Sequence, residues 1–227
     1  MSNLGSYSNR ALLATAVVAL GGVASAQPTG RVVGTVKILE ADGQPATADV
    51  IVYVTGFNEP PSDKVAVIAQ KGRKFIPDLV AITVNEKVEF PNFDPFLHNV
   101  FSQSVPRKFD LGSFTRGESK QKDFPVAGVV DVYCNIHPEM AATILILPNR
   151  RHTLAAPDGK FVLDGVPPGD WQIFAYSRRT IKPAMARITV RAGTETTVDL
   201  ALVRGAEPAH LNKYGEKYKD NVQVYRQ

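Results

Sequence analysis

The stretch "LVAITVNEKVEFPN", residues 79–92, decides the fold class. Val80, Ile82 and Val84 fall on one face of an extended chain, and Val88 and Phe90 continue the run. That two-residue period is the strand period. The same texture extends in both directions. Upstream, "RVVGTVKIL" (31–39), the turn signal "ADGQP" and "ADVIVYV" (48–54) read as a first hairpin, and "KVAVIAQ" (64–70) as a further strand. Downstream, "GVVDVYC" (128–134) and "AATILILP" (141–148) read as two short strands. The stretch "DGKFVLDGVPPGDWQIFAYS" (158–177) holds short strands around two turn signals, and "ARITVRAGTETTVDLAL" (186–202) reads as a hairpin turning at Ala-Gly. The polar stretch 107–123 predicts a loop with one short edge strand. No long helical period occurs, so the predicted class is all-β.

The chain has 227 residues, room for one large β-domain or two small ones, and its 16 Pro and 17 Gly fit many turns. The net charge of +4 is spread out, with no basic block of the kind that binds nucleic acid. Residues 1–26 predict a secretory signal: Arg10 in a polar start, the small apolar run "ALLATAVVALGGV", and "ASA" before Gln27. That run is shorter than the ~20 residues a membrane span needs, and no later stretch approaches that length, so no span is expected in the mature chain. Export to the periplasm or beyond sharpens one oddity. The chain has a single cysteine, Cys134, in an oxidising compartment. It can be a buried inert thiol, half of an intermolecular disulfide, or a metal-bound or catalytic thiolate.

The surroundings of Cys134 bear on that choice. "VYCNIHPEM" (132–140) puts Cys134, His137 and Met140 at the junction of two predicted strands. A tight loop there can fold a thiolate, an imidazole and a thioether around one point, and His98 in "DPFLHNVFS" supplies a second imidazole from an earlier strand. Two imidazoles, a thiolate and a weak axial thioether make the site used for one-electron copper transfer. Zinc accepts the first three, but thioether is not among its usual ligands. Copper is the better match. His152 and His210 stand in turn-like and tail-like contexts and are read as solvated, and Tyr133 and Trp171 as packing residues. With no open coordination position and no acid–base pair beside the site, an enzyme is not expected. Four histidines in all, two of them used here, are too few for a multicopper oxidase, and one cysteine cannot bridge a binuclear copper centre.

At this point the residues resemble a family, the cupredoxins, specifically the plastocyanin- and amicyanin-like type I copper proteins. The resemblance runs over roughly 64–148. It rests on "FIPDLVAITVNEKVEFPNFDPFLHNV" (75–100) and on "VYCNIHPEM", similar to the family's short Cys-x-x-His-x-x-Met ligand loop. It implies His98, Cys134, His137 and Met140 as ligands of one copper. Asn99 matches the family residue that ties the two ligand segments together near the cysteine. It further implies an electron carrier between redox protein partners, docking through an apolar patch around the loop histidine, for which Phe96, Leu97, Pro138 and Pro95 are the candidates here. A copper carrier or sensor without redox cycling is the alternative.

The flanking segments, "GTVKILEADGQPATADVIVYV" and 158–202, together resemble the carboxypeptidase regulatory-like, transthyretin-like β-sandwich. In contiguous members its D-G-x-F strand follows soon after the first hairpin; here the copper-binding stretch intervenes. A two-stranded hairpin alone cannot bury a face. The expected organisation is therefore a discontinuous sandwich (27–62 and 149–204), a cupredoxin domain inserted into it (63–148), and a polar tail (205–227) ordered only if it docks. The competing arrangement adds 30–57 to the cupredoxin as extra edge strands.

Overall fold

The computed structural model describes Met1 and residues 28–218, so the expected targeting segment lies outside the described residues. Among those described, every regular element is a strand, and the fold is all-β. The chain begins with β1 (Gly30–Glu40) and β2 (Ile51–Thr55). Its middle contains β3 (Val65–Val67), β4 (Ala69–Gln70), β5 (Phe75–Ile76), β6 (Leu79–Thr83), β7 (Lys87–Pro91), β8 (His98–Ser102), β9 (Phe109–Phe114), β10 (Ser119–Asp123), β11 (Gly128–Tyr133) and β12 (Ala141–Leu147). It ends with β13 (His152–Leu154), β14 (Lys160–Val166), β15 (Gly169–Tyr176), β16 (Thr180–Lys182), β17 (Ala184–Val190), β18 (Glu195–Thr197) and β19 (Leu200–Arg204).

These strands form two sandwiches. One sheet runs β14-β1-β19-β16, with β18 also on β1, and faces a second sheet in the order β13-β2-β15-β17. Val32 and Val36 of β1, Phe161 of β14 and Leu202 of β19 meet Val52 and Val54 of β2, Ile173 of β15 and Val190 of β17 in one buried cluster. The segments before and after the middle one therefore share a core. The middle segment forms the other sandwich from the sheet β6-β12-β11-β8-β9 and the sheet β10-β7-β3. Its core is rich in phenylalanine: Phe90, Phe109, Phe114 and Phe124 pack with Ile82, Val100, Val132 and Ile144.

Several turns read from sequence cross between layers instead of closing hairpins. The run 79–92 breaks at Val84–Glu86, where Asn85 takes a positive φ of 73°, and its two halves lie in opposite sheets of the inserted sandwich. Likewise β1 and β2 are no hairpin: they lie in facing sheets, each paired with strands from the end of the chain. In 186–202 the Ala-Gly turn is present, but β17 pairs with β15 while β18 and β19 run parallel to β1. The local signal is the same for a hairpin and for a corner between sheets, and only the second lets both strands bury a face against the core. The polar stretch 107–123 holds two full strands. Phe109 and Phe114 anchor β9 in the core, and β10, without one apolar residue, is an edge strand paired to β7.

The sandwiches are fastened to each other. Leu145 and Leu147 of β12 and Leu79 of β6 pack on Ile51 of β2, with Tyr53 and Tyr176 half-buried beside them. At the neck, Glu59 N–H donates to the Pro148 carbonyl (3.0 Å), and its carboxylate receives the Arg151 guanidinium (2.7 Å). Asn149 donates its side-chain amide to the carbonyls of Val54 and Phe57.

Candidate metal centre

Three donor atoms converge at one end of the inserted sandwich. His98 opens β8, whose five residues are all buried. Cys134 follows β11, and Met140 precedes β12, so the loop between two antiparallel neighbours carries the rest of the set. His98 Nδ1 lies 3.1 Å from His137 Nδ1, Cys134 Sγ lies 3.9 Å from the same atom, and the three donors all fall within 4.8 Å of one another. The loop is held from inside by Met140 N–H to the His137 carbonyl (3.0 Å) and Cys134 N–H to the Met140 carbonyl (3.2 Å). Met140 is fully buried in the same core cluster as Cys134.

The electrostatics favour metal-ready donors. Burial pushes the Cys134 thiol above its ordinary value, opposed by the backbone N–H groups of Asn99, Ile136 and His137. Those N–H groups supply the polarity a thiolate needs once a cation displaces its proton. Burial, and then repulsion from His98, hold His137 below the ordinary imidazole value, so its ring is neutral with a lone pair to give. His98 is oriented by a residue that sequence reading did not single out. Asp94, itself buried, accepts from His98 Nε2 at 2.8 Å. A proton held on Nε2 by a carboxylate leaves Nδ1 free to ligate. The same carboxylate accepts the N–H groups of Gly72 (2.6 Å) and Arg73 (2.9 Å), in a tight turn where both residues have positive φ. Burial resists its ionisation, but the N–H groups of Arg73 and Gly72 together with His98 prevail and hold the carboxyl below its usual range.

The remaining candidates fall into place unevenly. Asn99 contributes its backbone N–H to Cys134 and so links the two ligand segments, while its side chain turns toward β9. The amide donates to Asp110 Oδ1 (2.8 Å) and the Gly112 carbonyl (2.9 Å) on β9, because β9 lies directly beside β8. Leu97 is exposed, as is Pro95, while Pro138 is half-buried. Phe96 is half-buried too, its ring 5.3 Å from that of His98 and 5.7 Å from that of His137, with Arg73 stacked over it. Phe93 and Ile136 are also exposed near the site, and sequence reading missed them. Two other expectations are corrected. His152 is half-buried in β13, and His210 stacks on Tyr133 at 3.9 Å with the rings nearly parallel, so neither is solvated. The tail does dock, at least as far as Tyr218, whose hydroxyl donates to the Cys134 carbonyl (2.8 Å). Its only early hint was composition: histidine, lysine and tyrosine in a segment with few aliphatics.

No family model matches the chain, and no curated protein matches it. Among solved structures, it is similar to a copper-containing nitrite reductase (NirK) from Thermus scotoductus SA-01, with 25% identity over 41% of this chain and a TM-score of 0.36. The match spans only 25% of that enzyme's length. A purple cupredoxin from Nitrosopumilus maritimus is 24% identical over 36% of this chain and 98% of its own, with a TM-score of 0.33. A Cu(I) form of an amicyanin mutant is 16% identical over 42% of this chain and 97% of its own, with a TM-score of 0.35. These neighbours are cupredoxins or contain copper, and each covers less than half of this chain.

Proposed function

We propose that this chain holds one copper ion in a type I centre and carries single electrons between redox proteins. The carrying observation is the meeting of His98 Nδ1, His137 Nδ1 and Cys134 Sγ within 4.8 Å, with Met140 buried on the same loop. That donor set fits copper better than zinc, for which thioether is foreign. When bound, copper supplies a one-electron couple. The chain's residues do the rest. Asp94 keeps the His98 proton on Nε2, three backbone N–H groups support the Cys134 thiolate, and the phenylalanine core keeps water from the buried side. Half-buried His137 follows exposed Ile136 and precedes half-buried Pro138, and exposed Leu97 precedes His98, with exposed Phe93 next to Asp94; we assign these apolar residues to a docking face suited to the small, loose interfaces of redox encounters.

We read the protein as a carrier and not an enzyme, since the buried acid beside the donors, Asp94, is committed to His98 and two backbone N–H groups. Residues 63–148 are assigned to the copper domain, and 27–62 with 149–204 to a transthyretin-like sandwich that carries it; the pairing of β1 and β2 with β13–β19 supports that division. We place the mature protein outside the cytoplasm on the signal-like sequence of 1–26. No helix among the described residues is long and apolar enough to cross a membrane.

The test is addition of Cu(II) to the purified protein. A visible thiolate-to-copper band that bleaches reversibly on reduction, and vanishes in Cys134→Ser, is the expected result. Tight Cu(I) binding without a reversible couple would replace the electron carrier with a copper carrier. No band and no Cu(I) binding in the parent would overturn both.

A further inference from the structure

The outer side of the ligand loop is covered by a segment from the other sandwich. After β19 ends at Arg204, the chain leaves the flanking sandwich and crosses to the inserted one. Glu207 is held on the way by Arg178 (2.5 Å), which also pairs with Asp78 of the insert (3.0 Å). His210 then stacks flat on Tyr133, the residue before Cys134, and the Tyr218 ring packs steeply against that of His210, their centroids 5.3 Å apart. Lys213 donates its backbone N–H to Asn135 Oδ1 (3.0 Å) and its ammonium to Asp110 (2.8 Å), the same carboxylate that Asn99 engages. Gln103 of the insert donates to the Lys213 carbonyl (2.8 Å), and Tyr218 donates its hydroxyl to the Cys134 carbonyl (2.8 Å).

Three of these contacts fall on the consecutive residues Tyr133, Cys134 and Asn135, where β11 passes into the ligand loop. The internal bonds of the loop constrain its inner rim, while the carbonyl of Cys134 and the amide of Asn135 face outward. Without the segment, those two groups would be left to water, and the Cys134–Asn135 peptide would lose the outer of its restraints while keeping the inner ones. A ligand loop fixed on both rims keeps its donors in place before a cation arrives, which reduces the ordering needed on binding.

We propose that residues 205–218 are a latch by which the flanking sandwich completes the metal site of the inserted one. Tyr218 and Lys213 act as positioning residues for the Cys134–Met140 loop, and His210 seats the latch on Tyr133. The proposal deepens the copper reading and rests on it, yet half of its test needs no metal.

The decisive variants in the full chain are Tyr218→Phe, which removes one hydroxyl, and the double change His210→Ala with Tyr218→Ala, which unseats the latch. Amide hydrogen exchange of the loop 134–140 is measured in the metal-free protein, with amides of β12 as the internal reference. The loop is expected to exchange about tenfold faster in Tyr218→Phe and faster still in the double variant, with β12 unchanged. With Cu(I) loaded, release to a competing chelator should accelerate in the same order by a similar factor, and the thiolate-to-copper band of the Cu(II) form should move. Loop exchange and copper release matching the parent in both variants would overturn the latch. If the parent takes up no copper, the copper reading fails, and the exchange comparison still decides the latch.

Discussion

Asp94 accepts three bonds at once, from the N–H groups of Gly72 and Arg73 and from the ring of His98. The turn that it caps places Arg73, a non-glycine, at φ 56°, a conformation that costs free energy and persists where its neighbours over-determine it. One side chain thus holds a strained turn and the tautomer of a candidate metal ligand. Asp94→Asn keeps the size but removes the negative charge and one of the two acceptor oxygens, so the hold on the His98 Nε2 proton, and with it the bias that leaves Nδ1 free for a metal, weakens. Copper affinity should fall by about 10–100-fold, measured by competition with a chelator of known affinity. The circular dichroism of the metal-free protein should stay unchanged. Cys134, His137 and Met140 stood out in sequence because three donor-type side chains spaced along one loop have no common structural reason to recur together. Asp94 was not, since an aspartate in "NFDPF" reads equally well as a turn residue. Tyr218 lies far beyond the ligand loop in sequence, and only the folded path of the chain brings its hydroxyl to Cys134.

Two strands show why elements were easier to recognise than their partners. The run "AATILIL" of β12 is apolar at nearly every position, and the structure gives the reason. Ile144 and Ile146 face the inserted core, while Leu145 and Leu147 face the other sandwich, and β12 pairs in parallel with β6. In β1, eleven residues serve two partner sets: β14 on one edge and the successive strands β18 and β19 on the other. The chain passes from β18 to β19 over Gly34, with Val198 N–H on the Val33 carbonyl (2.9 Å) and the Val198 carbonyl pressed against the Gly34 α-carbon. Any β-carbon at Gly34 would overlap that carbonyl. Gly34→Ala should destabilise the protein by about 1–3 kcal/mol, read from the shift of a urea midpoint. Strand β13, paired to β2 in the facing sheet, holds a pH-sensitive element. Burial keeps His152 below its ordinary value of 6.5, opposed by Glu86 across the sandwich boundary. Its unfolded form therefore binds the proton more readily, and the stability it contributes is present above pH 6.5 and lost as pH falls below it. Urea midpoints at pH 7 and pH 5 should drop less in His152→Gln than in the parent.

At the scale of the whole molecule, the two sandwiches are joined by an apolar cluster, the Arg178–Asp78 pair and the docked C-terminal segment. Metal binding in one should therefore be felt in the other. Copper loading is expected to raise a single calorimetric transition covering both sandwiches. Leu145→Asp, which puts a charge into the shared cluster, should split that transition in two and leave copper to raise only one of them. Sequence reading grouped the flanking segments by their turn and core motifs but could not see this cluster, because Ile51, Leu79 and Leu145 look like ordinary inward residues of separate strands. The neck at Glu59 and Pro148 carries a further consequence, one of polymer physics. If the insert unfolds in place, it becomes a slack loop of roughly 90 residues whose ends the flanking sandwich must hold together, at about 4 kcal/mol of closure entropy. Folded, its two ends stand one hydrogen bond apart. Each sandwich is in this sense a cross-link in the other's chain, and the loop 134–140 lies within the segment that the flanking sandwich holds closed.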